Sequence, residues 1–322
     1  MNVVRWGIIG AGNIVRKRVA AAIRESANSE LVSISRGRPD LAEAAASEVG
    51  ARKWFADWRE QIFDSDIDAA YIATPVFLHA EQTIAAAEAG KNILCEKPMA
   101  LNLAECDSMI AACAANNVKL GVAYYRHFYP IIERAKQIIA AGEIGRVSLA
   151  QINAFEHVDM QSSDPRHWFV EKEKSGGGPM MDFGCHRLEV LVNLFGEVDR
   201  VTSLISESIC GREVEDTAVA TLHFLSGATA TVSVTHASNI PKDTLQIFGT
   251  GGFIDIPVLN SGRMIVATGP GEREENLPPA ENIHRPLVTD FVDSVLHDRA
   301  PTVDGESGRY VSQLLEKVYD EI

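Results

Sequence analysis

Residues 3–14, VVRWGIIGAGNI, decide how this chain begins to fold. Val3 to Ile9 reads as a short apolar strand and Gly10-Ala11-Gly12 as a turn. Ile14, Val19, Ala22 and Ile23 then fit one buried face of a helix. Strand, glycine turn and helix in that order suit a nucleotide. Gly10 permits the tight turn and Gly12 lets the backbone approach a pyrophosphate. The helix start at Asn13 and Ile14 offers free N–H groups and a positive dipole end. Val15 stands where a third glycine is usual, so the fingerprint is incomplete, and taken alone the stretch also reads as a plain glycine-rich turn.

The second strand, Leu31–Ser35, bears on which nucleotide. An NAD site usually carries Asp or Glu at this strand's end, about 20 residues beyond the glycines, for the ribose 2′-hydroxyl. Here the chain reads Ser35-Arg36-Gly37-Arg38. The hydroxyl of Ser35 and the forked guanidiniums of Arg36 and Arg38 suit a 2′-phosphate, which favours NADP and leaves NAD possible. Solvated loop arginines are the plain alternative.

Further along, Pro39 opens a helix that Gly50 closes, and Asp57 with Glu60 and Asn102 with Glu105 read as helix caps. Apolar strands recur at Asp68–Thr74, Asn92–Cys95 and Val118–Ala123. This alternation predicts an α/β domain over residues 1–122, a doubly wound parallel sheet with helices on both faces. Ligands of such a sheet sit outside the carboxyl ends of its strands. Two of those ends carry chemistry: Thr74-Pro75 with His79 beyond it, and Glu96-Lys97-Pro98 within KNILCEKPM, residues 91–99. Pro98 locks the backbone after Lys97 and keeps Lys97 out of αR, so its ammonium leaves in a defined direction. By itself that stretch also reads as a solvated Glu-Lys pair before a turn.

The pattern changes after Tyr124. One helix near Tyr129–Ala141 ends at Gly142. Alternating segments follow at Val147–Phe155, Val198–Ser206, Ala218–Phe224, Ala228–Thr235, Leu245–Phe248 and Phe253–Ile256, with Ser226-Gly227 as a hairpin turn. Residues 123–322 are therefore expected to form an α+β domain with a large, mostly antiparallel sheet, closed by helical stretches at Leu287–Leu296 and Gly308–Glu321. Inside it lies SGGGPMMDFGCH, residues 175–186. Pro179 suits the first turn of a helix on which Asp182 and His186, four residues apart, share a face. A carboxylate beside an imidazole can orient the ring and support its protonated form, as acid–base catalysis needs. A surface ion pair is the alternative. No third ligand stands at a suitable spacing, so no metal is expected.

Composition narrows the function classes. The 322 residues suit two domains; 46% are hydrophobic and 23% charged, as in ordinary globular proteins. No apolar run approaches about 18 residues, so no membrane span is expected. The start, MNVVRWGIIGAG, lacks the pattern of a secretion signal, which argues for the cytoplasm. Five scattered cysteines form no C-x-x-C pair. A net charge of −14 disfavours nucleic acid as a partner.

Four stretches together carry a family likeness: GAGNI at Gly10–Ile14, ATPVFLHAEQ at Ala73–Gln82, AGKNILCEKPMA at Ala89–Ala100 and GGGPMMDFGCH at Gly176–His186. Their order and separation resemble the glucose-fructose oxidoreductase/inositol dehydrogenase (Gfo/Idh/MocA) family along essentially the whole chain. The resemblance implies a Rossmann domain followed by an α/β domain whose large sheet often forms an oligomer interface, hence a homodimer or homotetramer. It implies Lys97, Asp182 and His186 as the catalytic set, with Thr74, Pro75, His79, Glu96 and Lys97 near the nicotinamide half of the cofactor. Arg126 in YYRHFYP, and Arg166 and Trp168 before the glycine loop, resemble substrate-side or cofactor-side positions. Family members often carry N-x-Y before the late helix; this chain has Asn282-Ile283-His284, which puts an imidazole where a tyrosine contact is usual.

The function so implied is an NADP-preferring oxidoreductase moving hydride between nicotinamide and a carbinol or ketone carbon of a sugar, polyol or related small molecule. A dinucleotide-binding sensor on the same fold is the alternative from another class, since fold does not imply function. It has no need of Lys97, Asp182 and His186 together. A nicotinamide-assisted glycosidase is the third reading.

Overall fold

The computed structural model describes residues 2–206 and 208–320, which form two compact units. Glu321, at the end of the last expected helix, lies outside the described residues. The first unit comprises Met1–Tyr125 and Ala280–Ser312; the second comprises Arg126–Pro279 and Gln313–Ile322.

In the first unit, strands β1 (Val4–Ile9), β2 (Ser29–Ser35), β3 (Lys53–Phe55), β4 (Ala69–Ile72), β5 (Asn92–Cys95) and β6 (Leu120–Val122) form one sheet. Their order is β3-β2-β1-β4-β5-β6, and every pairing is parallel. Helices cover both faces, so the central strands read as apolar runs: Ala69-Ala70-Tyr71-Ile72 is buried throughout. The order reverses between β1 and β4, and a crevice for ligands opens at the carboxyl ends of such a pair. Asp57 and Asn102 cap their helices as expected, accepting from Arg59 N–H and Glu105 N–H respectively.

Against the expected boundary at residues 122/123, the units divide after Tyr125, and residues 280–312 return to the first unit. The helix Arg285–Leu296 sets Phe291 against Trp6, ring centroids 5.3 Å apart. Gly121 leaves room for it, since a Cβ there would lie 2.9 Å from the Phe291 ring. Val303 then accepts the Val122 N–H at 3.0 Å. The amphipathic face of Leu287, Val288 and Phe291 signals a helix but not which core receives it.

The second unit is built on eight strands: β7 (Val147–His157), β8 (Val198–Ile205), β9 (Thr217–Phe224), β10 (Thr229–Thr235), β11 (Ala237–Gly249), β12 (Gly252–Ile256), β13 (Arg263–Thr268) and β14 (Gly271–Asn276). Their order is β14-β13-β12-β11-β7-β10-β9-β8. Only β7 and β10 run parallel; the other neighbours are antiparallel. Ala150, Ile152 and Ala154 of β7 and Ala230, Val232 and Val234 of β10 face one core, while Thr and Ser residues alternate outward. The β13–β14 hairpin was not expected. Its edge strand GEREEN is charged and exposed, a composition that protects a sheet edge but hides the strand from any apolar pattern. Among the described residues, no helix is long and apolar enough to cross a membrane.

Candidate active site

At the reversal point of the first unit, the turn after β1 is held from both sides. Gly10 N–H donates to the Ser35 carbonyl at 3.1 Å, and Ala73 N–H to the Ile9 carbonyl at 2.8 Å. Gly10 has φ +99°, and a Cβ there would lie 2.7 Å from the Ala73 oxygen. Two constraints thus demand glycine. Gly12 differs: a Cβ there would meet nothing within 4 Å. That position is therefore open toward the start of the helix at Asn13, where N–H groups without partners in the helix favour an anion. The helix winds as a π-helix over Val15–Val19, a winding often found at functional sites, and Val15 is fully buried.

At the end of β2, Ser35 is buried and its Oγ has no hydrogen-bond partner among the described residues. Arg36 is half-buried, its N–H held by the Phe55 carbonyl at 3.1 Å. Arg38 is exposed and forked onto Asp40 at 2.7 and 3.3 Å. That hydrogen bonding raises the guanidinium pKa and holds the Asp40 carboxyl below its usual range. Arg38 therefore has a partner that the pattern Ser-Arg-Gly-Arg does not reveal.

At the ends of β4 and β5 the turns are tied together by one buried ring. His79 places Nε2 2.9 Å from the Thr74 carbonyl and Nδ1 3.1 Å from the Pro98 carbonyl. Burial pulls its pKa below the ordinary value. The Thr74 hydroxyl donates to Gln82 Oε1 at 2.6 Å, and the peptide bond from Lys97 to Pro98 is cis. Lys97 is half-buried. Beside it, buried Glu96 accepts from the Tyr71 hydroxyl at 2.8 Å and from the Lys97 N–H at 3.3 Å, with His284 Nε2 at 3.7 Å. Burial pushes the Glu96 carboxyl up, but His284 and Tyr71 outweigh it and leave the pKa below the usual value. His284, expected on the substrate side, is fully buried; it stands between Glu96 and the Tyr125 ring, 4.6 Å away.

In the second unit, the glycine loop leads into a π-helix, Met180–Gly184, continued by the α-helix Cys185–Phe195. Asp182 sits on the first and His186 on the second; Asp182 is half-buried and His186 buried. Glu215 anchors the entry to this helix by accepting from Gly178 N–H at 2.8 Å, Met180 N–H at 3.3 Å and the Tyr319 hydroxyl at 2.7 Å. Two of the three glycines are explained by that anchor. A Cβ on Gly178 would lie 2.1 Å from the Glu215 carbonyl oxygen, and one on Gly177 2.1 Å from the Tyr319 oxygen. Asp182 also has a neighbour that sequence reading missed, His236, whose Nε2 is 3.5 Å from Oδ2. His236 follows β10 directly, so only the strand pairing brings it to the helix.

Arg126 is buried with Asp243 at 3.6 Å, and the same carboxylate takes Arg187 at 2.5 Å. Arg166 is exposed and bound to Asp164 at 3.1 Å; Trp168 stacks on Phe169 with centroids 4.0 Å apart. A pair that spacing does not reveal joins half-buried His127 to buried Glu189, Nδ1 and Oε1 lying 2.6 Å apart.

Residues 4–124 match the family model described as an oxidoreductase family with an NAD-binding Rossmann fold, and residues 132–255 match the GFO/IDH/MocA C-terminal domain. The chain belongs to the GFO/IDH/MocA family. It is thus an NAD(P)-dependent oxidoreductase acting on CH–OH groups. Among similar proteins, the 1,5-anhydro-D-fructose reductase of Ensifer adhaerens is 31% identical over 313 residues, covering 94% of this chain and 92% of that protein. A levoglucosan dehydrogenase in complex with NADH and levoglucosan superposes with a TM-score of 0.90 at 26% identity, covering 99% of this chain and 96% of that one. The aldose-aldose oxidoreductase from Caulobacter crescentus, complexed with glycerol, also scores 0.90 at 26% identity, with 99% and 97% covered.

Proposed function

We propose that this family member moves hydride between NADP(H) and a carbinol or ketone carbon of a sugar or polyol, with Lys97, Asp182 and His186 as its catalytic residues. One observation carries the reading. Lys97 stands at the carboxyl edge of a reversed parallel sheet, in a turn braced on both sides: Glu96 is held by Tyr71 with His284 beside it, and Pro98 by His79. An ammonium fixed in advance stabilises an oxygen's developing negative charge without reorganising at the moment of reaction. Nicotinamide, when bound, supplies the hydride chemistry.

The chain's own residues then have separate tasks. His186 exchanges the hydroxyl proton of the substrate, Asp182 holds the imidazole and a substrate hydroxyl, and Lys97 supports the oxygen. Gly10, Gly12, Asn13 and Ile14 take the diphosphate, and Ser35 and Arg36, with Arg38 once released from Asp40, take a 2′-phosphate. Thr74, Pro75 and His79 shape the edge beside Lys97. Arg166 and Trp168 face substrate. Arg126 and His284, both buried, act one layer back through Asp243 and Glu96.

The test is turnover of a panel of sugars and polyols, beginning with 1,5-anhydro-D-fructose and levoglucosan, followed at the nicotinamide absorbance band with NADPH, NADP, NADH and NAD. Turnover of at least one compound, faster with the phosphorylated cofactor, is expected. No turnover with any cofactor defeats the proposal.

A further inference from the structure

We infer that His236 is a positioning residue that holds the Asp182 carboxylate, a second imidazole behind the proton-handling pair. The inference rests on the proposal that Asp182 serves in catalysis. His236 is clamped by its backbone: its N–H donates to the Asp216 carbonyl at 2.8 Å, and its carbonyl accepts the Val158 N–H at 2.9 Å. The ring is 1% exposed and meets the Phe183 ring edge-on, centroids 4.6 Å apart. Among the described residues neither ring nitrogen has a hydrogen-bond partner, and Nε2 lies 3.5 Å from Asp182 Oδ2.

A buried polar group left without a partner is costly, and leucine or phenylalanine would fill this space without that cost. The second acidic neighbour, Asp216, turns its carboxylate elsewhere, to Ser208 Oγ at 2.9 Å, Cys210 N–H at 2.7 Å and Arg212 at 3.4 Å. Among the described residues, Asp182 is thus the carboxylate beside the ring nitrogens. A shift of a few tenths of an ångström brings Nε2–H into bonding distance of Oδ2, and hydrogen bonds at catalytic groups commonly tighten so when substrate arrives. No proton is transferred. Nε2–H donates, and the carboxylate is held in one orientation toward the substrate.

The experiment compares His236→Gln, His236→Asn and His236→Leu, each alone and combined with Asp182→Asn, using 1,5-anhydro-D-fructose or the best substrate of the panel. The amide nitrogen of Gln reaches the Nε2 position and that of Asn does not. His236→Asn and His236→Leu should lower kcat about 10- to 100-fold with little change in KM, the usual cost of losing a group that orients a site residue. His236→Gln should stay within about threefold of wild type, a contrast that survives even if the leucine variant fails to fold. Combined with Asp182→Asn, His236→Leu should cost nothing more, because residues acting through one another do not add. Gln no better than Asn, or equal losses in both backgrounds, overturns the inference. A slow Asp182→Asn beside a normal His236→Leu overturns it alone; a normal Asp182→Asn removes the catalytic reading as well.

Discussion

Tyr319→Phe removes a single hydroxyl from the anchor of the glycine loop, and its cost follows from the geometry. Glu215, 7% exposed, accepts three hydrogen bonds, of which the Tyr319 bond at 2.7 Å is the shortest. A hydrogen bond to a charged group contributes about 1.5–3 kcal/mol. The two backbone donors remain in the variant, so the loss should fall near the middle of that range, about 2 kcal/mol. The vacated space stays empty, because Gly177 faces it without a side chain. For a unit of this size about 1 kcal/mol shifts the melting midpoint by roughly 2–4 °C, so the variant should melt roughly 4–8 °C lower. Burial, and then Glu215, raise the Tyr319 pKa well above its ordinary value, so the phenol remains a donor and the deficit should not change between neutral and mildly alkaline pH. Calorimetry on wild type and variant measures it. Turnover should fall too, since the anchored segment becomes the helix carrying Asp182 and His186. A midpoint within roughly 1 °C of wild type refutes the reasoning.

Glu96→Gln tests the buried network beside Lys97 through pH. The folded carboxyl titrates below its unfolded value of 4.5, so its stabilisation is present above that value and lost as pH falls through the folded pKa. The midpoint gap between wild type and Glu96→Gln should be full at neutral pH and shrink in acid; a gap that stays constant contradicts the network. Arg36→Ala should weaken NADPH binding about tenfold and leave NADH unchanged, whereas Asp40→Ala, by freeing Arg38, should tighten NADPH. A wild type that binds NADH as well as NADPH contradicts both. The second unit should drive self-association into dimers or tetramers, since the outward Thr and Ser of β9 and β10 and half-exposed Val219 present a broad, mild surface. Sedimentation of a monomer at micromolar concentration contradicts this.

What could be read from the chain, and what could not, divides along sequence distance. Strand-helix alternation, the caps at Asp57 and Asn102, and the placement of Gly10 and Lys97 at strand ends are local, so short patterns expose them. The parallel pairing of the first sheet follows from that alternation, whereas its strand order does not. The return of residues 280–312 to the first unit depends on Phe291 finding Trp6 and Gly121, a choice that no local pattern records. The same holds in the site. Gly177 and Gly178 suggest a flexible loop by composition, whereas Tyr319 and Glu215 make them a steric requirement. His236 stands 54 positions from Asp182 and meets it only through the packing of a strand end against a helix. Asp40 stands only two residues from Arg38, but whether its carboxylate takes that guanidinium depends on side-chain conformation, which the pattern Ser-Arg-Gly-Arg does not record.

The most direct test of the central claim separates chemistry from cofactor binding in Lys97→Ala and His186→Ala. Both residues are proposed to act on oxygen charge and on a proton that move only as hydride moves, so their loss belongs in the rate. Steady-state turnover on the best substrate of the panel, beside fluorescence titration of NADPH, makes the separation. His186→Ala should lower kcat by about 10²–10⁴-fold with NADPH affinity within about threefold of wild type. Lys97→Ala should lose comparable activity, and Lys97→Arg should not restore it, because guanidinium does not release a proton at working pH. Near-normal turnover in both alanine variants contradicts the account and returns Lys97 and His186 to a structural role.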